Sequence, residues 1–471
     1  MTNERFSEGL YFTVASFLSD ETGERCAVSP TELLAGDEVT VSCALYSYSD
    51  DRPVRVPAIA YRWVCDDGES GSGRVCDASS VEFTVSSDIP GSLNFRVFAL
   101  DERGEEISGA ESAYGGLLFS AEDITPSSKA PSDLYSFWDG EIDRLIRVLP
   151  TDTAPDGYTG AVVYGYSIPE KNRYRLKKLD AAYLDSLKEN GISAPSASAL
   201  ERYDIYELYL KAPGPAPTSA YISVPKTGGS LPIRIVYDPY DIHSAAPTVS
   251  AAQITVHCTH HGYELGKSPE YYAELDCGIL KNYGKANGGV NSSYENPHDC
   301  YMTYLLLRDL QLIRYLSDPS LSGEIGSLHK IWNREFILSG MSMGGYQALC
   351  VGALAERLIH RVPAFKVATV EANIPGFCNM AAGVSRGIIS DFFSYERGAD
   401  YFEPSHLAPL LRAEVKLMRV GLGDETCIAS GIMAMFNSLD GSVKKSANFL
   451  QNSSHYYLPR PKNQRWYKFE N

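Results

Sequence analysis

Gly340, Ser342 and Gly344 form the chain's clearest chemical signature. They follow a short apolar run, Glu335 to Ser339, and precede an alanine- and leucine-rich stretch from Tyr346 to Leu358. Strand, sharp turn and helix in that order make a G-x-S-x-G nucleophile elbow. The turn lifts the serine oxygen above the sheet, and it closes only if the residues two before and two after lack bulk. Ser342 is therefore the candidate nucleophile. Unpaired N–H groups at the start of the following helix favour negative charge beside it. A second match, Gly383, Ser385 and Gly387, follows a segment without a strand pattern and reads as a loop.

A serine hydroxyl needs a base, and the base an acid to orient it. After an elbow of this kind the acid comes next in the chain and the histidine last. Three histidines follow Ser342. His360 falls at the far end of the elbow helix, and His406 precedes the strand that should deliver the acid. His455 lies in a loop after the last apolar run, where a base must sit. For the acid, the run from Val415 to Gly423 delivers Asp424 to the C-terminal edge of a sheet, where ligands gather. Glu425 is adjacent; Asp391 and Asp400 have no strand before them, and Asp440 comes after the next helix. The tetrahedral intermediate needs two N–H donors, each worth about 3 kcal/mol. One is expected from Met343, the residue after the nucleophile. The other should come from the loop after the Ile233 to Tyr237 strand, where Pro239 has no N–H and Tyr240 is the favoured donor.

These residues require a sheet to hold them. From about residue 203 strands alternate with helices: an opening antiparallel pair at Asp204 to Lys211 and Ala220 to Val224, then buried apolar strands at Ile233 to Tyr237 and Gln253 to Cys258. Helical stretches are expected at about 269–283 and 298–317. Strands follow at Lys366 to Val370, Val415 to Val420 and Ala447 to Gln451, with an amphipathic tail at the end. With a serine elbow midway, this alternation predicts an α/β-hydrolase core with a doubly wound, mostly parallel sheet. Before it, alternating runs at Leu10 to Leu18, Val39 to Tyr46, Ala58 to Val64, Val81 to Val85, Leu93 to Leu100 and Gly116 to Ser120 predict an immunoglobulin-like all-β sandwich. Trp63 stands where a strand tryptophan would pack, but no cysteine in the Phe95 to Phe98 run can bridge to Cys43. The expected division is a sandwich over 1–125, a linker over 126–133, and a hydrolase unit over 134–471. Asp133 or Ser132 should cap a helix whose apolar face is Leu134, Phe137, Trp138, Ile142, Leu145, Ile146 and Leu149. Residues 150–200 read as irregular.

The length of 471 residues exceeds one ordinary core, in keeping with two units. A net charge of −17 argues against nucleic acid and anionic membrane as partners. The first eight residues carry no basic and apolar leader, which predicts a cytoplasmic protein, or a secreted one whose leader has been removed. Ten cysteines without a CxxC pair, several in apolar runs (Cys43, Cys258, Cys350), predict free buried thiols. His257, Cys258, His260 and His261 suggest a metal site, but alternate side chains of a strand point to opposite faces. No metal or cofactor is expected, and His260 and His261 should line the pocket or cap the strand end.

Taken as a set, several segments resemble the acetyl xylan esterase and cephalosporin C deacetylase family of carbohydrate esterases. They are Pro131 to Trp138, Tyr221 to Pro225, Tyr237 to Tyr240, His260 to Gly266, the elbow, Tyr401 to Pro404 and Gly421 to Asp424. The resemblance spans roughly residues 130–460, and the preceding sandwich is similar to a longer subgroup. It implies Ser342, Asp424 and His455 as triad, and Tyr240 and Met343 as oxyanion hole. It also implies an acetylated saccharide of the xylan or xylo-oligosaccharide type as substrate. Met343 stands where the family usually has glutamine, and Thr426 to Ser430 replace its proline pair. Two other readings compete: a non-catalytic carbohydrate-binding protein on a hydrolase scaffold, and a serine peptidase of the same fold. For the sandwich, a scaffold or homo-oligomer contact is the expected role.

Overall fold

The computed structural model describes residues 9–20, 22–155, 157–160, 171–240, 242–259, 261–277, 294–382 and 395–470. Eight strands build the N-terminal unit: β1 (Leu10–Ser19), β2 (Arg25–Ala27), β3 (Val39–Ser47), β4 (Val56–Cys65), β5 (Ser70–Ala78), β6 (Ser80–Val85), β7 (Gly91–Leu100) and β8 (Ala113–Phe119). They pair antiparallel in two four-stranded sheets, ordered β2-β1-β3-β6 and β5-β4-β7-β8. Alternation puts Val39, Val41, Cys43 and Leu45 of β3 inside, facing Leu93, Phe95 and Val97 of β7. Trp63 is half-buried and lies over Gly71, where a side chain on the neighbouring strand would strike its ring.

After a connecting segment, α1 (Leu134–Arg147) begins the second unit. Asp133 stands at its N-cap position but does not cap it; its carboxylate instead accepts from Tyr401 OH at 2.7 Å. The predicted apolar face is buried from Leu134 to Leu145, whereas Leu149 falls beyond the helix end and is exposed. Within the stretch expected to be irregular lie β9 (Arg175–Lys178) and α2 (Ala181–Glu189), the latter capped by Asp180 accepting from Tyr183 N. Then follow β10 (Tyr203–Leu210), β11 (Thr218–Pro225), β12 (Leu231–Tyr237), β13 (Ile254–Thr259), α3 (Pro269–Cys277) and α4 (Tyr301–Ser317). The chain continues through β14 (Trp332–Met341), α5 (Met343–Leu358), β15 (Lys366–Asn373), β16 (Glu414–Gly421), α6 (Ala429–Asn437), β17 (Lys445–Leu450) and β18 (Trp466–Glu470).

These strands form one sheet in the order β18-β17-β16-β15-β14-β12-β13-β11-β10-β9. The six strands from β17 to β13 run parallel, and antiparallel strands flank them on both sides. The end of the chain, expected as an amphipathic tail, is the edge strand β18. Helices α1 and α4 pack against the elbow helix α5, and α4 is buried along almost its whole length. This is the α/β-hydrolase fold preceded by a β-sandwich. It brings β14, β16 and β17 to the same edge through their C-terminal ends.

Candidate active site

The elbow explains why its glycines are glycines. Ser342, between β14 and α5, has φ 55° and ψ −117°, a conformation that costs a non-glycine residue about 1–3 kcal/mol. Its N–H donates to Asn373 O at 2.9 Å, and its carbonyl accepts from Gly376 N at 2.9 Å and Tyr346 N at 3.0 Å. A Cβ on Gly340 would lie 2.3 Å from the backbone of Gly344, and a Cβ on Gly344 only 2.1 Å from Tyr237 O. Beyond the turn, Ile374, Phe377 and Asn379 also carry positive φ. The buried carboxylate of Glu403 holds that segment, accepting from Asn379 N at 2.8 Å and Met380 N at 2.6 Å.

Asp424 sits in the turn after β16, fully buried. Its Oδ1 accepts from the N–H groups of Thr426 and Cys427, both at 2.8 Å, which leaves Oδ2 for His455. His455 Nδ1 donates to that oxygen at 3.0 Å, and its side chain is 9% exposed. With Nδ1 committed to the carboxylate, Nε2 is the nitrogen left to act as a base. The two loops are also stitched by their backbones, Gly423 N donating to Ser453 O and Leu422 N to Leu450 O. Glu425 points elsewhere and meets Arg62 of the sandwich at 4.0 Å.

Sequence reasoning passed over Cys427, which links this pair to the serine. Its thiol is pushed well above the ordinary range by burial and by the charge of Asp424, partly offset by a hydrogen bond with Ser342. The ligand atoms of Asp424, Cys427 and His455 lie within 4.8 Å of one another. Cys427 thus lies between Ser342 on one side and the Asp424–His455 pair on the other. Its position three residues beyond the acid is the one signal the sequence offered.

For the oxyanion, Met343 opens α5, where the first N–H groups of a helix have no intrahelical acceptor. The close approach of Gly344 to Tyr237 O and Asp238 O puts the loop leading to Tyr240 alongside that helix end. Tyr240 is half-buried, its ring edge-on to His261 at 5.3 Å. His261 is fully buried beside Tyr301, with Nδ1 3.1 Å from the phenol, so it stands inside the wall rather than on an open face. His257 Nε2 donates to Asp238 Oδ1 at 2.6 Å; burial opposes the ring's charge, but the Asp238 hydrogen bond and charge outweigh it and raise its pKa. Cys258, its neighbour on β13, is buried against Val236 O, so the two do not converge on an ion. His360 is exposed, and His406 is buried with Nδ1 3.0 Å from Asp400 O. Asp400 accepts from Tyr395 OH, and Asp440 accepts from Ser442 in a surface turn. His260, Ser385 and Asp391 lie outside the described residues. Among the described cysteines none is paired; Cys26 and Cys76 are exposed, whereas Cys43, Cys258 and Cys350 are buried. No helix among the described residues is long and apolar enough to cross a membrane.

The family model for acetyl xylan esterase (AXE1) matches residues 396–471, the stretch that carries Asp424 and His455. In three dimensions the chain is similar to acetyl xylan esterase 1 from Thermoanaerobacterium sp. JW/SL YS485, with a TM-score of 0.50 and 16% identity, covering 72% of this chain and 93% of that one. For acetyl xylan esterase from Paenibacillus sp. R4 the TM-score is 0.48 and the identity 16%, over 72% and 94% of the two chains. No curated protein matches the sequence. At such identities the first likeness speaks for the fold, in agreement with the strand order. Over residues 396–471 the chain is thus similar to acetyl xylan esterases, and that match together with the fold supports a carboxylic-ester hydrolase.

Proposed function

We propose that Ser342, His455 and Asp424 are the triad of an esterase that removes acetyl groups from an acetylated carbohydrate of the xylan or xylo-oligosaccharide type. The reading is carried by one observation: a buried Asp424–His455 pair shares a neighbour, Cys427, with a serine held in a strained elbow. Ser342 Oγ attacks the acetyl carbonyl carbon while His455 Nε2 takes the hydroxyl proton. The N–H groups of Met343 and Tyr240 stabilise the oxygen that becomes negative. Collapse breaks the bond to the sugar oxygen, which leaves with the proton from His455. Water, deprotonated in turn by His455, then attacks acetyl-Ser342 and releases acetate. Asp424 holds the imidazole with Nε2 toward the serine and offsets the positive charge that forms on the ring.

The test is hydrolysis of p-nitrophenyl acetate and of acetylated xylo-oligosaccharides by the intact chain and by Ser342→Ala. Loss of kcat on the order of 10⁴-fold or more is expected for the variant. Retained turnover in Ser342→Ala sinks the reading. Cleavage of peptides in place of esters would favour a peptidase, and saccharide binding without turnover a binding protein.

A further inference from the structure

The sandwich touches the hydrolase unit at the two loops that carry the acid and the histidine. Asn94, on β7 and almost fully buried, donates from Nδ2 to Leu422 O at 2.8 Å and to Asp424 O at 3.3 Å. A single side-chain amide therefore holds the carbonyls on either side of Gly423. Around it the two units meet backbone to backbone. A Cβ on Gly116 would lie 2.0 Å from Leu422 O, and one on Gly423 would lie 2.4 Å from Gly115 N. Next to Asn94, Ser92 is fixed by Asp66, which accepts from its N–H at 2.7 Å and its hydroxyl at 3.1 Å, and Ser92 Oγ lies 3.1 Å from Ser430 Oγ in the first turn of α6.

A second anchor holds the histidine loop. Ser454 N donates to Tyr457 O and Tyr457 N to Ser454 Oγ, closing a turn around His455. Tyr457 OH then donates to Glu111 Oε2 at 2.7 Å, an oxygen that also accepts from Tyr48 OH at 2.7 Å. Arg460 caps the same corner, its guanidinium 3.7 Å from the Tyr48 ring centroid. Apolar contact is present at the seam too, Leu118 of β8 packing into the core of the hydrolase unit. Beside it, polar groups are aimed at the backbone flanking Asp424 and at the turn around His455.

We propose that the sandwich is a working part of the catalytic centre, with Asn94 and Glu111 as positioning residues that set the acid and the histidine relative to the serine. The inference rests on the triad reading above. A displacement of about 1 Å at a reacting group costs about 100-fold in rate, so a brace on both loops acts on turnover and leaves substrate affinity alone.

The test uses the full chain carrying Asn94→Leu, which keeps the size and removes both donors. Steady-state kinetics on p-nitrophenyl acetate are normalised to the Ser342 titre measured with a fluorophosphonate. The expected result is a fall in kcat of about 10- to 100-fold with KM within about twofold, and an equal fall in the labelling rate. Glu111→Ala should lower kcat less, again without changing KM. Wild-type kcat and labelling rate in folded Asn94→Leu overturn the proposal. If that variant does not fold, Glu111→Ala decides, and wild-type kcat there overturns it. Asp424→Asn in the same assay separates the two readings. If it stays active, the triad assignment fails; if it is inactive while the seam variants are unchanged, only the brace fails.

Discussion

The two sides of the candidate site are held by different parts of the molecule. Ser342 leaves β14, in the middle of the ten-stranded sheet, and its turn is fixed by groups of the hydrolase unit: Asn373, Gly376, Tyr237 and the segment pinned by Glu403. Asp424 and His455 leave β16 and β17, close to the sheet's edge, and their loops reach across to β7, β8 and Glu111 of the sandwich. A central strand inherits rigidity from neighbours on both sides, whereas an edge loop must find partners elsewhere. Strain can be stored at the serine because its surroundings over-determine it. The acid and the histidine carry little strain and much external contact.

Three variants probe the contrast. The largest effect is expected for Gly344→Ala, whose Cβ would meet the backbone at Tyr237 O. The elbow cannot close around that contact, so esterase activity and fluorophosphonate labelling of Ser342 should both fall by more than about 10³-fold. A folded, active Gly344→Ala would break the claim that the serine's side has no slack. Gly116→Ala comes next, because its Cβ would lie against Leu422 O. Here the sandwich can pivot, so Ser342 should still label to full stoichiometry while kcat falls about 10-fold or more.

The smallest effect concerns stability beneath the elbow helix. Asp309 on α4 is fully buried and accepts from Gln347 Nε2 at 2.7 Å; burial raises its pKa from 3.8 to about 7, against the pull of that bond. A carboxyl with a folded pKa above its unfolded one favours folding only while protonated. Its penalty therefore grows from about pH 4 to about pH 7 and levels off above. Asp309→Asn removes the charge and keeps the acceptor, so its melting temperature should exceed that of the wild type by a few degrees at pH 8 and by little at pH 4. An equal difference at both pH values would show that the carboxyl is not held neutral by its site.

Much of this architecture could be read from the chain. The glycines around Ser342 are dictated by backbone approach, which leaves no choice of residue, and apolar alternation marked six of the eight sandwich strands. What escaped has physical reasons. β5 reads as a polar loop, Ser70 to Asp77, because its face is exposed and its glycines lie under the Trp63 and Tyr61 rings. The α2 helix has only Leu184 and Leu187 buried, too few to announce a period. Asn94 looks like the outward-facing member of an alternating strand, yet β7 is covered on both faces because the second unit lies against it. Partners 328 and 330 residues apart leave no trace in local pattern. Cys427 was one thiol among several in apolar surroundings, and only the fold reveals that it borders the serine.

The contact of Gly115 and Gly116 with Leu422 and Gly423 has a consequence for how such a chain can change. With no side chain between the two backbones, no substitution can fill a gap there, and a Cβ added on either side is met at once by the backbone of the other. An insertion in one unit or a replacement of the front module by a foreign one would disturb the far end of the chain before it disturbed its own surroundings. The two halves are therefore bound to be inherited as a matched pair.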